Sequence, residues 1–112
     1  MEISVQEDGA ACQVALGGGL DIYGAAQLRD TLRTLLARHE SVELNLAAVD
    51  DIDSAGLQVL MSAKSTATAL GHRLSMIAHS PVVLELLDLC KLEAYFGDPV
   101  IELGARTAQP SA

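Results

Sequence analysis

Ser54 lies in the stretch Val49-Asp50-Asp51-Ile52-Asp53-Ser54-Ala55-Gly56-Leu57, between a short alternating apolar pattern and a long apolar stripe. That context predicts a serine hydroxyl at a helix N-terminus, where backbone N–H groups lack partners and an anion can be held. Two chemistries fit. In the first, Asp53 or Ser54 caps the helix, the commoner role for both residue types. In the second, a partner kinase phosphorylates Ser54, adding close to two negative charges beside Asp50, Asp51 and Asp53. The helix N-terminus would offset part of the repulsion. A partner surface fitted to the neutral serine would then lose complementarity. The two roles do not exclude each other.

Other candidate groups carry less. Asp50, Asp51 and Asp53 lack the glycine and terminal glutamate of a calcium loop and read as a solvated acidic loop. Asp21 reads as a local electrostatic partner of the serine loop, or as a cap or turn residue ahead of the first helix. His39, His72 and His79 are scattered and have no Cys, His or carboxylate at ligand spacing. Surface or cap roles are expected for them, with His39 near a helix C-terminus that favours a cation. Ile52 stands where a nucleophile elbow needs glycine, two residues before Ser54. Gly17-Gly18-Gly19 is followed by no Lys-Ser or Lys-Thr, so it is no phosphate loop. No catalytic constellation, metal site or cofactor site is expected.

A chain of 112 residues fits one domain, and 50% apolar content supports a core. Tyr23, Tyr95 and Phe96 are its only aromatic residues, so the core must be aliphatic and bases would find little to stack on. A net charge of −8 repels phosphate backbones, which argues against nucleic-acid binding and for a basic partner face. Cys12 and Cys90 match no metal spacing and are expected to be buried reduced thiols. The N-terminus Met1-Glu2-Ile3-Ser4 shows no targeting pattern, and no apolar run is long enough for a bilayer. A cytoplasmic protein, not inserted in a membrane, is expected.

The elements that must position these groups follow from periodicity. Ile3 and Val5, then Cys12, Val14 and Leu16, predict two strands joined at Glu7-Asp8-Gly9, the second broken by Gly17-Gly18-Gly19. Leu20 to Tyr23 is an extended approach to a helix over residues 24–39, with Leu28, Leu32, Leu35 and Leu36 inward. Val42, Leu44 and Leu46 predict a central strand. Leu57, Leu60, Met61, Ala63, Ala67 and Leu70 predict a helix ended by Gly71. Residues 73–78 read as a strand. Ser80-Pro81 then opens a helix apolar nearly all round, through Leu89. Gly97-Asp98-Pro99 reads as a turn, and Val100-Ile101 as an uncertain last strand. Residues 1–103 form a single domain on this reading, and 104–112 a frayed tail. The order β-β-α-β-α-β-α predicts an α/β fold with a mixed sheet covered by helices. Asp21 and the Asp50–Ser54 loop both follow strands and should share the edge where strand C-termini end.

Taken together, these motifs resemble the STAS domain family of bacterial anti-sigma-factor antagonists and sulfate-transporter tails, from about Ile3 to Leu103. The resemblance is carried by Gly18-Gly19-Leu20-Asp21, by Val42-Glu43-Leu44-Asn45-Leu46 leading into Ile52-Asp53-Ser54-Ala55-Gly56-Leu57, and by the strand Leu74–Ala78 followed by Ser80-Pro81-Val82-Val83. It implies no intrinsic enzymatic activity. It also implies that Ser54 is phosphorylated by an anti-sigma factor that is a serine kinase. The unphosphorylated form would bind that kinase and release the sigma factor, and a serine phosphatase would reset the switch. ATP and magnesium would belong to the kinase. Asp21, Asp53, Ala55, Gly56 and Leu57 would flank the phosphorylation site or meet the partner. Gly19 departs from the acidic residue usual in the family, and Ala55 from the second serine of many antagonists. The alternative implied by the same resemblance is a constitutive subunit of a lipid-transporting ABC complex or of a chemotaxis-type signalling complex.

Overall fold

The structure is a computed structural model that describes residues 1–90. The expected turn at Gly97-Asp98-Pro99, the Val100-Ile101 strand, the Leu103 boundary and the 104–112 tail lie outside the described residues. The elements are β1 (Glu2–Asp8), β2 (Ala11–Leu20), α1 (Ile22–Arg38), β3 (Ser41–Ile52), α2 (Ser54–Leu70), β4 (Arg73–His79) and α3 (Pro81–Leu89). They build a sheet of spatial order β1-β2-β3-β4. β1 pairs antiparallel with β2 through a turn at Gly9, whose φ of 63° suits glycine. β2–β3 and β3–β4 are parallel pairs, joined through α1 and α2. The sheet is mixed, as the element order predicted.

The alternating residues face one way and make the core. Val14, Leu16, Val42, Leu44, Leu46, Leu74 and Met76 are buried in the sheet. Leu28, Leu32 and Leu36 of α1, and Leu60, Ala63 and Ala67 of α2, join them in one cluster. Each fully buried leucine contributes roughly 1.5–3 kcal/mol relative to exposure. An aliphatic core built this way needs no aromatic contribution.

Three expectations change. The glycine triplet does not break β2. The strand continues to Leu20 through two register shifts, between Ala15 and Gly17 and between Gly18 and Gly19. Gly18, at φ 86°, takes a backbone conformation open to glycine, so the residues that looked like a stop absorb bulges. β3 extends to Ile52, which puts Asp50 and Asp51 on its exit instead of in a loop. α1 starts at Ile22, ahead of Gly24, because Asp21 caps it. Helix α3, apolar nearly all round, is only partly buried: Val83 and Leu87 enter the core, Val82 and Leu86 pack partly against it, and Leu89 is 76% exposed. Its predicted cap holds, with the Val83 N–H donating to Ser80 Oγ at 3.4 Å and Pro81 at the helix start.

The histidines and cysteines follow expectation in part, with His39 at the C-cap of α1 as its position predicts. His39 is buried and is no surface residue. It ends α1 and bridges to the β1–β2 hairpin, with Nδ1 2.9 Å from the Gly9 carbonyl and Nε2 2.6 Å from Glu7 Oε1. Arg38 lies 3.1 Å from the same carboxylate oxygen. His79 is buried as well. His72 is half-buried, with Nδ1 2.8 Å from the Leu36 carbonyl near the end of α1, which is a capping role. Both cysteines are free thiols; Cys12 is buried but Cys90 is exposed.

Candidate functional site

The site grows from two strand exits that lie side by side. Leu20 at the end of β2 is in register with Ile52 at the end of β3. The next residue of β3's exit returns to β2, since the Asp53 N–H donates to the Leu20 carbonyl at 3.3 Å. Asp21 and Asp53 therefore leave adjacent strands at the same rim and start α1 and α2 there, where the sequence placed them.

The two exits repeat one local design, Asp-x-x-Gly. Asp21 Oδ1 accepts the N–H groups of Tyr23 and Gly24, both at 3.0 Å. Asp53 Oδ1 accepts those of Ala55 and Gly56, at 2.9 and 3.1 Å. In each helix the aspartate takes the early orphan donors. The glycine that follows lets the helix start press onto the strand exit. A Cβ on Gly56 would stand 2.5 Å from the Leu20 carbonyl oxygen, and one on Gly24 would stand 2.9 Å from that of Gly19. Position 56 thus locks α2 against β2 and fixes the direction in which residue 54 points.

Asp53 is therefore the cap of α2. Ser54 is the first helical residue and is exposed. Two donors expected to offset a phosphate on Ser54 are already engaged by the Asp53 carboxylate. The rim is mainly acidic, with the Met1 ammonium a cation that acts on Asp21 from nearby. Asp21, Asp50, Asp51 and Asp53 are all exposed. Among the described residues no arginine, lysine or histidine forms an ion pair with any of them. The N–H of Gly24 does most to hold the Asp21 carboxyl below its ordinary value of 3.8; burial opposes it and the Tyr23 N–H adds to it. Asp21 thus stays ionised at the rim. Ala55 is half-buried, and Gly56 and Leu57 are buried, so the last two position the site from beneath.

Two rim residues escaped the sequence reading. Ile22 and Tyr23, for which the sequence predicts an extended approach, form the first turn of α1 and are 64% and 84% exposed. Once Asp21 is recognised as a cap, both fall off the Leu28–Leu32–Leu36 stripe, and this was the available signal. They place apolar surface next to the acidic edge. Among the described residues no group of His, Cys, Asp or Glu is arranged to hold a metal.

An α/β domain with two helix starts at one sheet rim, one of them carrying an exposed serine, is the class that fold and site define. The family model described as "Mlab, STAS domain" matches residues 3–102. The chain belongs to the STAS domain family. Its fold is similar to that of the anti-sigma factor antagonist SpoIIAA in its unphosphorylated form, with a TM-score of 0.73 at 17% identity over 87% of each chain. The Bacillus cell fate determinant SpoIIAA in its phosphorylated form matches with a TM-score of 0.70 at 17% identity, over 87% of this chain and 90% of that one. An anti-sigma factor antagonist from Mycobacterium paratuberculosis matches with a TM-score of 0.78 at 19% identity, over 91% of this chain and 86% of the other. No curated protein sequence matches the chain. Among the described residues no helix is long and apolar enough to cross a membrane.

Proposed function

We propose that this chain is an anti-sigma-factor antagonist, a cytoplasmic, non-catalytic binding module switched by phosphorylation of Ser54. The unphosphorylated form binds an anti-sigma factor that is also a serine kinase, and so releases the sigma factor. A serine phosphatase restores the binding form. The observation that carries this reading is the exposed Ser54 hydroxyl at the start of α2, relieved of capping by Asp53. A kinase can reach it without opening the fold. A dianion there adds to an acidic rim that has no ion-paired cation among the described residues, with the nearest helix donors already taken. A partner surface shaped around the neutral serine and the carboxylates of Asp21 and Asp53 then meets excess negative charge. Like-charge mismatch of this kind costs several kcal/mol when the contact is desolvated.

The test is phosphate transfer. The purified chain and its Ser54→Ala variant are incubated with the partner kinase and ATP, and intact masses are compared. A gain of one phosphate on the unmodified sequence alone supports the switch. No gain with an active kinase, or equal gain on both proteins, rejects it.

A second reading is favoured by the description of the matching family model, which names Mlab and not an antagonist. In it the chain is a constitutive subunit of a transporter or signalling complex, and Ser54 makes a neutral contact at the interface. Ser54→Asp would then weaken the complex, yet the native protein would carry no phosphate.

A further inference from the structure

The cations of this acidic chain are not spread evenly. Arg29, Arg33 and Arg38 lie in α1 and Lys64 lies in α2, where Asp30 is the only carboxylate. The strands, their turns and the rim carry most of the remaining acids. The α1–α2 surface is therefore a basic face on a molecule of net charge −8, whereas α3 carries only Glu85 and Asp88 as charged residues. Arg38 is committed to Glu7. Arg29 meets Asp30 at 3.6 Å, with both side chains more than half exposed, and such pairs are worth little. Arg33 has no ion pair among the described residues.

Arg29 and Arg33 are one helical turn apart, on the same side of α1. They border a groove between α1 and α2 whose other lining includes Leu36, Val59, Ala63 and Thr66. Its volume is about 70 Å³. A single water needs roughly 10–15 Å³ on the same measure, so the groove has room for an aliphatic side chain. A shallow groove with Val59 at its mouth and two guanidiniums on its edge has a specific complement. The complement carries an aliphatic knob and presents carboxylates to the arginines, each able to take one in a paired geometry.

We propose that the α1–α2 groove docks an acidic amphipathic helix of a partner protein. One aliphatic side chain of that helix seats against the half-buried Val59 over the seam between the two helices, and carboxylates a turn apart on it meet Arg29 and Arg33. The surface is separate from the phosphorylation rim. Its α2 lining runs from Val59 to Thr66, roughly 8 to 18 Å along the helix from Ser54 at 1.5 Å per residue. The chain thus carries two faces of opposite charge, and a partner could engage the groove whatever the state of Ser54.

The test uses a synthetic helical peptide with leucine at heptad spacing and flanking glutamates, titrated into the ¹⁵N-labelled chain. The expected result is saturable amide shifts confined to residues of α1 and α2 around the groove, weakening as salt rises. Reversing both charges, in Arg29→Glu/Arg33→Glu, should weaken binding about tenfold. The same variant should gain affinity for a matched peptide with lysines in place of the glutamates. Thr66→Trp, which fills the slot from the solvent side, should block the peptide and leave the unfolding midpoint close to that of the parent. Ser54→Asp should leave peptide binding unchanged, so failure here is distinguishable from failure of the phosphorylation switch. Equal binding of the acidic and basic peptides by the parent chain would overturn the proposal. So would shifts at the Ser54 rim, no saturation, or self-association of the chain through this groove.

Discussion

Gly56→Ala is the smallest change that should disturb both fold and site. The added methyl would stand 2.5 Å from the Leu20 carbonyl oxygen, 2.6 Å from Leu20 Cγ and 3.2 Å from Ile52 Cγ1. The first of these is backbone, and it already accepts the Asp53 N–H. It cannot swing aside as a side chain would, so α2 must lift from the sheet. Overpacking of this kind costs roughly 1–3 kcal/mol. Alanine returns at most about 1 kcal/mol of helix propensity, and less in a first turn. The net expectation is a loss of about 1–2 kcal/mol, which lowers the melting temperature by roughly 4 °C per kcal/mol for a domain of this size. Gly71→Ala provides a contrast. Its φ is 73°, but a Cβ there meets nothing within 4 Å, so only backbone strain of about 1 kcal/mol opposes it. Urea unfolding followed by circular dichroism measures both variants. A Gly56→Ala protein at least as stable as the parent would refute the claim that residue 56 locks the two strand exits together.

The remaining predictions concern caps, protons and thiols. Asp53→Ala should cost about 1 kcal/mol, and Asp53→Asn much less, because asparagine still caps; chemical unfolding distinguishes them. The Glu7 carboxyl is held below its ordinary value of 4.5, chiefly by the hydrogen bond from His39, with burial opposing and the charges of Arg38 and His39 assisting. A carboxylate depressed in the fold contributes stability above its unfolded value and loses it as pH falls through the folded one. The stability gap between the parent and Glu7→Gln should therefore close as pH falls through the acid range below 4.5; a gap unchanged across that range would contradict the clasp. Cys90 should react with a thiol reagent in the native protein. Cys12, 1% exposed and with its thiol pushed up by burial first and Glu7 second, should react only on unfolding.

Element order and core residues were legible because each rests on local periodicity. Val42, Leu44 and Leu46 alternate, Leu28, Leu32 and Leu36 share a helix face, and Gly71 closes α2 with the φ that glycine permits. The strand exits were harder. Glycine in a row reads as a stop, yet the same lack of side chain lets β2 bulge and carry on beside Asp51. Asp50 and Asp51 look like loop residues because the end of β3 runs past the core into solvent. The choice between Asp53 and Ser54 as cap is degenerate in sequence, since both side chains suit the position; the hydrogen bonds decide it. The bridge made by His39 could not have been read from its neighbours. Its oxygen partners, Glu7 and Gly9, are about thirty residues away in the chain and come close only when β1 and β2 fold back along α1.

The central claim is that a negative charge on Ser54 breaks docking at the rim. Titration calorimetry of the anti-sigma partner against the unphosphorylated chain, the phosphorylated chain, Ser54→Ala and Ser54→Asp tests it most directly. The account predicts near-equal affinity for the unphosphorylated chain and Ser54→Ala. It predicts at least about tenfold weaker binding, or some 1.4 kcal/mol, for the phosphorylated chain, and weakening in the same direction for Ser54→Asp. Equal affinity of the phosphorylated and unphosphorylated chains would contradict it.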